Sequence, residues 1–334
     1  FPTRRSSDLG LVLVAGVDVQ DNRFEVVVWA IGRGEEMWAV DYAVIYANPA
    51  DEREWDDKLD PYLGTVFRHA SGQGLRIEAA AVDTGGHFTH QAYNFCRTRE
   101  RRRVFAVKGD SQTSKMVKGK ASVQDVNYRG KVLKRGVRLW YVGTDTAKDL
   151  IYGRLLVTQP GPGYVHFSKD LPPDFYRQIT AEARVPQRTA RGIEHRWVNP
   201  KRLRNEVLDC TVYALFCTHQ LSLHIYTDTM WRRLEEVVQP ANADLFALAG
   251  DHPGPADRPS PAAGSPPADD EDETEDGAAA PAVAATAPEP AAPLPVPRLP
   301  DMPGSARLSL GSMGRFGAAG AGRDARAGRE GRSR

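Results

Sequence analysis

Two apolar, β-branched segments each lead to an aspartate, and this pattern constrains the fold more than any other feature of the chain. The segment LVLVAGVDV contains Asp18, and the segment RIEAAAVD ends at Asp83. Runs of this kind are typical of strands that are buried within a sheet. A carboxylate at the end of a buried strand is costly unless another group pairs with it. The sequence therefore predicts two neighbouring strands with an acidic side chain at the end of each.

A third aspartate, Asp209, lies within LRNEVLDCTVYALF, which predicts a helix with a partly buried face. Two strands and one helix of this kind would bring three carboxylates together. Carboxylate oxygens suit hard cations such as Mg²⁺ or Mn²⁺. Two such ions support phosphodiester cleavage. We therefore predict a two-metal site in which Asp18 is shared by both ions, Asp83 holds one and Asp209 holds the other.

Two of these three carboxylates have a specific structural alternative. Asp83 precedes Thr-Gly-Gly and could be a turn former. Asp209 could be an exposed helix carboxylate. Asn205 and Glu206 lie about one helical turn before Asp209 and could add to the same site, although a solvated position is the favoured interpretation of Glu206.

Two further residues near the predicted strand ends are candidates for the site. Lys108 follows the predicted strand Val104–Val107 and would lie at the same sheet edge as Asp83. Its ammonium could neutralise phosphate charge in the transition state, but a surface lysine fits this position equally well. His87, in GGHFTH, could contact metal or phosphate, although a structural role is favoured for a lone histidine after a glycine turn.

A basic stretch runs from Lys108 to Arg138, where nine Lys or Arg residues face only Asp110 and Asp125. From Asp110 to Arg138 we expect an insertion or flexible loop that contains one hairpin. Basic side chains of this kind bind DNA through its phosphates, although a solvated surface is the alternative. The predicted DNA-binding residues are Lys115, Lys118, Lys120, Lys131, Lys134 and Arg135.

The order of predicted elements indicates an α/β protein. The first three strands are expected to form a meander, and Asp51 is expected to cap a helix that runs to His69. The strand Ile77–Val82, the helix His90–Arg99 and the strand Val104–Val107 predict a parallel strand–helix–strand unit. The later predicted elements are a helix Thr146–Val157, a strand Tyr164–Phe167, a helix from Pro172 to Ala183, a hairpin Val185–Val198 and a helix Leu203–Leu221.

Composition divides the chain into three parts. Residues 1–9, FPTRRSSDL, resemble a translated sequencing adapter, so we expect a non-native segment and a natural protein that begins further upstream. Residues 10–239 are mixed in charge and are expected to form one globular domain. Residues 240–334 are rich in Pro, Ala and Gly, with an acidic block and a basic end, and this composition predicts a disordered tail.

Net charge, cysteine spacing and the length of apolar runs also argue against several classes of protein. The formal net charge is +1, so no global field indicates a polyanionic partner. The three cysteines, Cys96, Cys210 and Cys217, lack zinc-site spacing and fit a reducing cytoplasm. Cys210 and Cys217 lie two turns apart on one predicted helix, which favours core packing. No apolar run is long enough to span a bilayer, so we expect no membrane contact.

Several separated stretches resemble the GpA-like family of tailed-phage terminase large subunits. They are GVDVQDNRFEVVVWAIGRGEEMWAVDY, AAVDTGGHFTHQAYNFCR, RVFAVKG and NEVLDCTVYAL, and the resemblance extends from about Leu11 to Leu221. In that family a packaging ATPase precedes a ribonuclease-H-like nuclease that cuts concatemeric viral DNA. The resemblance implies a ribonuclease-H-like mixed sheet flanked by helices, with Asp18, Asp83 and Asp209 as the metal-binding acids.

The resemblance also implies double-stranded DNA as the substrate, the small terminase subunit and the portal as partners, and the cytoplasm of the bacterial host as the location. The chain contains no GxxxxGK[ST] phosphate loop, so we do not expect the ATPase motor within it. Two alternatives remain open. One is another ribonuclease-H-like nuclease such as a resolvase, and the other is a non-catalytic packaging or portal-binding module from a prophage remnant.

Overall fold

The computed structural model describes residues 10–112, 114–128, 130–189 and 192–239, and the predicted segments 1–9 and 240–334 lie outside these ranges. The strands in the described ranges are β1 (Val12–Gln20), β2 (Arg23–Ile31), β3 (Met37–Tyr46), β4 (Val66–Arg68), β5 (Gly74–Asp83), β6 (Val104–Asp110), β7 (Lys118–Tyr128), β8 (Lys131–Gly143), β9 (Val165–Phe167), β10 (Ala183–Thr189) and β11 (Gly192–Val198). The α-helices are α1 (Glu52–Glu54), α2 (Asp60–Leu63), α3 (Thr89–Arg99), α4 (Thr144–Leu155), α5 (Pro173–Ile179), α6 (Glu206–Gln220) and α7 (Asp228–Val238).

Nine of the strands form one mixed sheet. Its order is β7-β8-β6-β5-β1-β2-β3-β9, and β4 pairs with β5 outside this path. Strands β1, β2 and β3 form the predicted antiparallel meander, whereas β1, β5, β6 and β8 run parallel to one another. The predicted parallel unit of β5, α3 and β6 is confirmed, as are the α/β class and the ribonuclease-H-like mixed sheet flanked by helices. Strands β10 and β11 form a separate hairpin.

Helices cover both faces of this sheet. Side chains alternate between the two faces along a strand, so Phe24 and Trp29 of β2, which are five positions apart, point to opposite faces. The ring of Phe24 lies 4.7 Å from that of Trp55, which lies 5.4 Å from that of Phe95 in α3. On the other face, the indole N–H of Trp29 donates to Oγ1 of Thr211 in α6 at 3.2 Å. The apolar strands predicted from the sequence are therefore buried on both sides.

Helix α6 packs unusually close to β1, and a glycine makes this approach possible. A Cβ atom at Gly16 would lie 1.8 Å from the carbonyl oxygen of Cys210, far inside van der Waals contact. Cys210 and Cys217 are fully buried on α6, which confirms their predicted packing role. Because Gly16 is two residues before Asp18 and Cys210 is adjacent to Asp209, this contact places the two aspartates near each other.

The helix expected to run from Asp51 to His69 is shorter than predicted. Asp51 does cap it, since its Oδ1 accepts a hydrogen bond from the backbone N–H of Arg53 at 3.0 Å. The helical segment includes a π-turn between α1 and α2, and ends at Leu63. The following β-branched and aromatic residues instead form β4, which pairs with β5. The helix predicted to reach Ala183 likewise ends earlier, at the last residue of α5.

The expectation of an insertion or flexible loop between Asp110 and Arg138 was wrong. The predicted hairpin is present as β7 and β8, but β8 also pairs in parallel with β6, so the hairpin extends the main sheet. Val126, Val137 and Leu139 are buried along it. The many charged residues between these apolar positions obscured the strand pattern. Helix α7 was not predicted, and it buries Trp231, Leu234 and Val238.

Among the described helices, none has the length and apolar character needed to cross a membrane.

Candidate active site

Three secondary-structure elements bring the three predicted aspartates to one edge of the sheet. Asp18 lies near the end of β1, and Asp83 is the last residue of the neighbouring parallel strand β5. The register pairs Val17 with Val82, so the two aspartates are at equivalent positions on adjacent strands. Asp209 lies in the first turn of α6, which covers this part of the sheet. The arrangement therefore follows from strand register and from helix packing.

Asp18 is the most buried of the three, with 7% of its surface exposed. Its carboxylate accepts a hydrogen bond from the side-chain amide of Gln20. Burial raises the pKa of Asp18 to about 8, and repulsion from Asp209 and Asp83 contributes in the same direction, whereas the bond from Gln20 opposes the rise. The three carboxylates are thus close enough to influence one another's ionisation.

Asp83 is held by donors from two different elements. The hydroxyl of Tyr213 in α6 donates to its Oδ1 at 3.0 Å, and the backbone N–H of Gly85 donates to the same oxygen at 3.1 Å. The second bond shows that Asp83 also has the turn-forming role considered as an alternative. Burial raises the pKa of Asp83 despite these hydrogen bonds.

Asp209 lies in a network that includes one cation and a further carboxylate. The amide of Asn205 donates to its Oδ2 at 3.0 Å, and the ammonium of Lys148 lies 3.5 Å from its Oδ1. Glu182 accepts from the same Lys148 at 2.7 Å and from the same Asn205 amide at 2.9 Å. Burial raises the pKa of Asp209 to about 6, although Lys148 opposes the rise, and repulsion from Glu182 adds to it.

Sequence reasoning missed three residues of this site. Tyr213 lies four residues after Asp209, a spacing that places both on one helical face and could have identified it. Lys148 comes from α4, and Glu182 precedes β10 directly. Neither position has a local sequence signal, because only the tertiary fold brings them to Asp209.

Glu206 is not the solvated helix residue that was favoured. It is 8% exposed, and its Oε1 accepts from Arg23 at 3.0 Å and from Arg204 at 3.4 Å. The same two arginines pair with Glu25, which is completely buried on β2. The charge of Glu206 contributes to the raised pKa of Asp18, so this network borders the acidic site.

Lys108 and His87 are both exposed. Lys108 is exposed on β6 directly after Val107, which pairs with Asp83 in the sheet register. Its positive charge opposes the rise in the pKa of Asp83. His87 is exposed, and its Nδ1 lies 3.3 Å from Oδ1 of Asp21, which is also exposed.

The predicted DNA-binding residues separate into two groups, one at the start of β7 and in the segment that leads into it, and one on β8. Lys118 pairs with Val142, which pairs with Gly109 beside Lys108. Lys131 is the first residue of β8, and Val142 lies near the end of the same strand. Because a strand rises about 3.3 Å per residue, the two residues are roughly 35 Å apart. We name the residues near the site the edge basic group, and those at the far end of the hairpin the tip basic group. The edge group is Lys115, Lys118 and Lys120, and the tip group is Lys131, Lys134 and Arg135.

The residues at the sheet edge fit a hard cation by their chemistry, since Asp18, Asp83 and Asp209 offer carboxylate oxygens alone. In the described ranges, no three His, Cys, Asp or Glu side chains are arranged as they stand to hold a metal ion. Each of the three carboxylates is instead bonded to a protein donor. Metal binding at this position would therefore require these side chains to reorient toward the ion.

Comparison with known proteins identifies a family. Residues 1–231 match the family described as the endonuclease domain of the terminase large subunit gpA. The terminase large subunit of Escherichia phage lambda is 34% identical over 212 residues, which is 61% of this chain and 31% of the lambda protein. That of Enterobacteria phage P21 is 34% identical over 251 residues, which is 70% of this chain and 37% of the P21 protein.

The chain thus spans about a third of the length of these two relatives. No solved structure matches it. Because the family match extends over residues 1–231 of a chain of 334 residues, the chain belongs to the family of the terminase large subunit gpA endonuclease domain.

Proposed function

We propose that the chain is a divalent-metal-dependent DNA endonuclease that cuts concatemeric viral DNA during genome packaging. The observation that supports this most directly is the convergence of Asp18, Asp83 and Asp209 at one edge of the sheet. The family and the two phage relatives support nuclease chemistry on DNA.

The charge balance of the site supports a requirement for metal. Asp18, Asp83 and Asp209 all have raised pKa values, chiefly because each is desolvated. The donors to Asp18 and Asp83 are uncharged, and of the three aspartates the ammonium of Lys148 contacts Asp209, while it also pairs with Glu182. A divalent cation would stabilise the charged forms of the carboxylates. Oxygen ligands favour Mg²⁺ or Mn²⁺ over softer metals.

We expect Asp18 to contribute to both ions of a two-metal site, Asp83 to hold one and Asp209 the other. When bound, two such ions activate water at neutral pH and neutralise the attacking and leaving oxygens of a phosphodiester. Lys108 places an exposed positive charge beside Asp83, where it would attract a phosphate and stabilise charge that develops there.

The edge basic group extends this positive charge along the hairpin from Lys108. We propose that it binds the backbone of double-stranded DNA through phosphate neutralisation. The tip basic group would contact the same duplex about ten base pairs away, because B-DNA rises about 3.4 Å per base pair. Three of these ammonium groups already have a neighbour with which a phosphate would compete. Lys134 lies 2.9 Å from Asp125, Lys115 lies 3.6 Å from Asp110, and Lys118 lies 5.6 Å from the ring centre of Trp140.

We further propose that the protein acts in the cytoplasm of the bacterial host, with the small terminase subunit and the portal as partners. The support for these partners is the family and the names of the phage relatives, which are terminase large subunits. This chain spans about a third of the length of those two relatives.

Plasmid cleavage by the full chain tests the proposed activity. Nicking should occur with Mg²⁺ or Mn²⁺ and stop with EDTA, and Asp18→Asn, Asp83→Asn and Asp209→Asn should each reduce it by about a hundredfold or more. Asp228→Asn is the matched control, because Asp228 is exposed on α7 and pairs with Arg33 away from the site. The control variant should cut as the wild type does.

Equal activity in the wild type and all three site variants would reject the acidic site. If no protein cuts, Mn²⁺ titration of the full chain by calorimetry separates the alternatives. Binding that is lost in Asp18→Asn would support a nuclease that depends on its packaging partners. Absence of binding would favour the non-catalytic packaging module.

A further inference from the structure

Lys148 is a buried lysine that contacts a proposed metal ligand. It is 8% exposed on α4, and its ammonium lies between two carboxylates, 2.7 Å from Oε1 of Glu182 and 3.5 Å from Oδ1 of Asp209. Buried lysines are rare unless they are paired. The shorter contact indicates that Glu182 is the principal partner and that Asp209 shares the charge.

Asn205 closes this arrangement into a ring of four groups. Its amide donates to Oε1 of Glu182 at 2.9 Å and to Oδ2 of Asp209 at 3.0 Å. Lys148 and Asn205 therefore hold different oxygens of Asp209. With Lys148 replaced, the amide would still bond both carboxylates, so the change would affect charge more than geometry.

The backbone on both sides of the ring is fixed. The hydroxyl of Tyr152, also in α4, donates to the carbonyl oxygen of Glu182 at 2.6 Å. Asp149 accepts from the indole of Trp197 at 2.9 Å and pairs with Arg184 at 3.1 Å, which ties the β10–β11 hairpin to α4. Glu182 thus has a defined position from which it anchors the lysine.

We propose that Lys148, anchored by Glu182, is a positioning residue that serves as the counter-ion of Asp209 and sets the affinity of the acidic site for a divalent cation. The proposal rests on the metal site proposed above. Because Glu182 already holds the ammonium, Asp209 can turn to an ion without leaving the lysine unpaired. The pair of Lys148 and Glu182 is neutral as a whole. Removing the lysine therefore makes the charge beside Asp209 more negative, whereas removing the charge of the glutamate makes it more positive.

The sign of each effect follows from electrostatics. Lys148→Met leaves the charge of Glu182 uncompensated, which adds negative charge beside Asp209 and should tighten Mn²⁺ binding by about tenfold. Glu182→Gln leaves the lysine facing Asp209 alone and should weaken Mn²⁺ binding by about tenfold. The double variant restores neutrality and should bind Mn²⁺ with close to wild-type affinity.

The test is calorimetric titration of the full chain with Mn²⁺, without DNA, combined with thermal unfolding in EDTA and in Mn²⁺. Lys148→Met should melt at a lower temperature in EDTA because the buried carboxylate of Glu182 and the half-buried carboxylate of Asp209 lose their cation. Its increase in Tm with Mn²⁺ should exceed that of the wild type. A purely structural role for the lysine would lower Tm equally in both solutions.

The matched controls are Arg33→Met and Asp228→Asn, which break an exposed ion pair of 2.6 Å away from the acidic site. Both should leave the Mn²⁺ affinity unchanged. Affinity shifts of the same sign in Lys148→Met and Glu182→Gln, or no shift in either, would overturn the proposal. If Lys148→Met does not fold, Glu182→Gln alone decides, since its affinity must fall.

The outcomes also separate this inference from the proposed function. A wild type that binds no Mn²⁺ would remove the metal site and this inference with it. A wild type that binds Mn²⁺ through Asp209, shown by a loss in Asp209→Asn, with unchanged affinity in the lysine and glutamate variants, would overturn the inference alone.

Discussion

Asp18 combines deep burial with an acidic side chain, and this has a consequence for stability in the absence of metal. Its pKa rises from an ordinary value near 4 to about 8 because burial disfavours the charged form. Between these two values the folded protein keeps a proton that the unfolded chain releases. The free energy of unfolding of the metal-free protein should therefore fall as the pH rises through this window.

Asp18→Asn should reduce this pH dependence. The variant lacks the proton equilibrium at this position, so its loss of stability between pH 5 and pH 8 should be smaller than that of the wild type by on the order of 4 kcal/mol. Urea denaturation in EDTA at the two pH values measures the difference. Asp125→Asn is the control, because Asp125 is exposed and its pKa is lowered by Lys134. An unchanged slope in Asp18→Asn would contradict the assigned burial.

Tyr213 is the residue through which α6 orients Asp83. Tyr213→Phe removes the 3.0 Å hydrogen bond to Oδ1 but keeps the buried ring. We expect metal-dependent cleavage to fall by about tenfold, because one hydrogen bond to a charged group contributes about 1.5 kcal/mol. Tyr176→Phe is the matched control, since its hydroxyl donates to the carbonyl oxygen of Ser168 away from the site. Equal activity in the two variants would show that Tyr213 does not position Asp83.

The site residues that could be predicted from the sequence are those that lie in a recognisable local pattern of apolar residues. Asp18 and Asp83 were recognisable because each ends an apolar strand, and Asp209 because it interrupts the apolar face of a helix. Lys148 and Glu182 were not, because they come from elements that are distant along the chain and meet Asp209 only through the packing of α4. Which charged side chains neutralise one another in a buried site depends on the tertiary fold.

At the scale of elements, the contact between α6 and β1 determines whether the acidic residues meet. It depends on Gly16, where any Cβ would overlap the backbone of Cys210. Gly16→Ala should force the helix away from the strand and destabilise the protein by about 1–3 kcal/mol, the usual cost of overpacking a core. Mn²⁺ affinity should fall as well, since Asp209 would shift with the helix.

Gly153→Ala is the matched control for this prediction. Gly153 lies inside α4 and has nothing within 4 Å of the added Cβ. The substitution should be neutral or stabilise by up to about 1 kcal/mol, because alanine favours helix more than glycine does. Chemical denaturation of both variants checks the pair. A Gly16→Ala protein as stable as the wild type would contradict the close approach of α6.

Sequence patterns predicted most of the elements but not how each one ends. The meander, the parallel unit of β5, α3 and β6, and the hairpin of β10 and β11 follow from periodicity and turns. The helix after Asp51 ended early because Val66 and Phe67 gain more from pairing with β5 than from another helical turn. Strands β7 and β8 were obscured because only a few of their residues, such as Val126 and Val137, are buried.

At the scale of the whole molecule, nearly balanced charge conceals a polarised surface. The net charge is +1, yet the hairpin of β7 and β8 extends positive charge from the acidic site to a tip roughly 35 Å away. A duplex that lies along this hairpin would contact the edge and tip basic groups together, about ten base pairs apart. This would place its backbone beside Lys108 and the three aspartates.

Triple serine variants of the two basic groups test this path. On a duplex of about 30 base pairs, each triple variant should reduce the slope of log K against log salt by about three, because each phosphate contact contributes about 0.9. Only the edge variant should also reduce cleavage of DNA that is already bound, since that group adjoins Lys108 and the acidic residues. Fluorescence anisotropy over a salt series, with single-turnover cleavage, measures both quantities. A tip variant with the wild-type salt slope would show that DNA leaves the hairpin before its end, and the edge group alone would then define the DNA path.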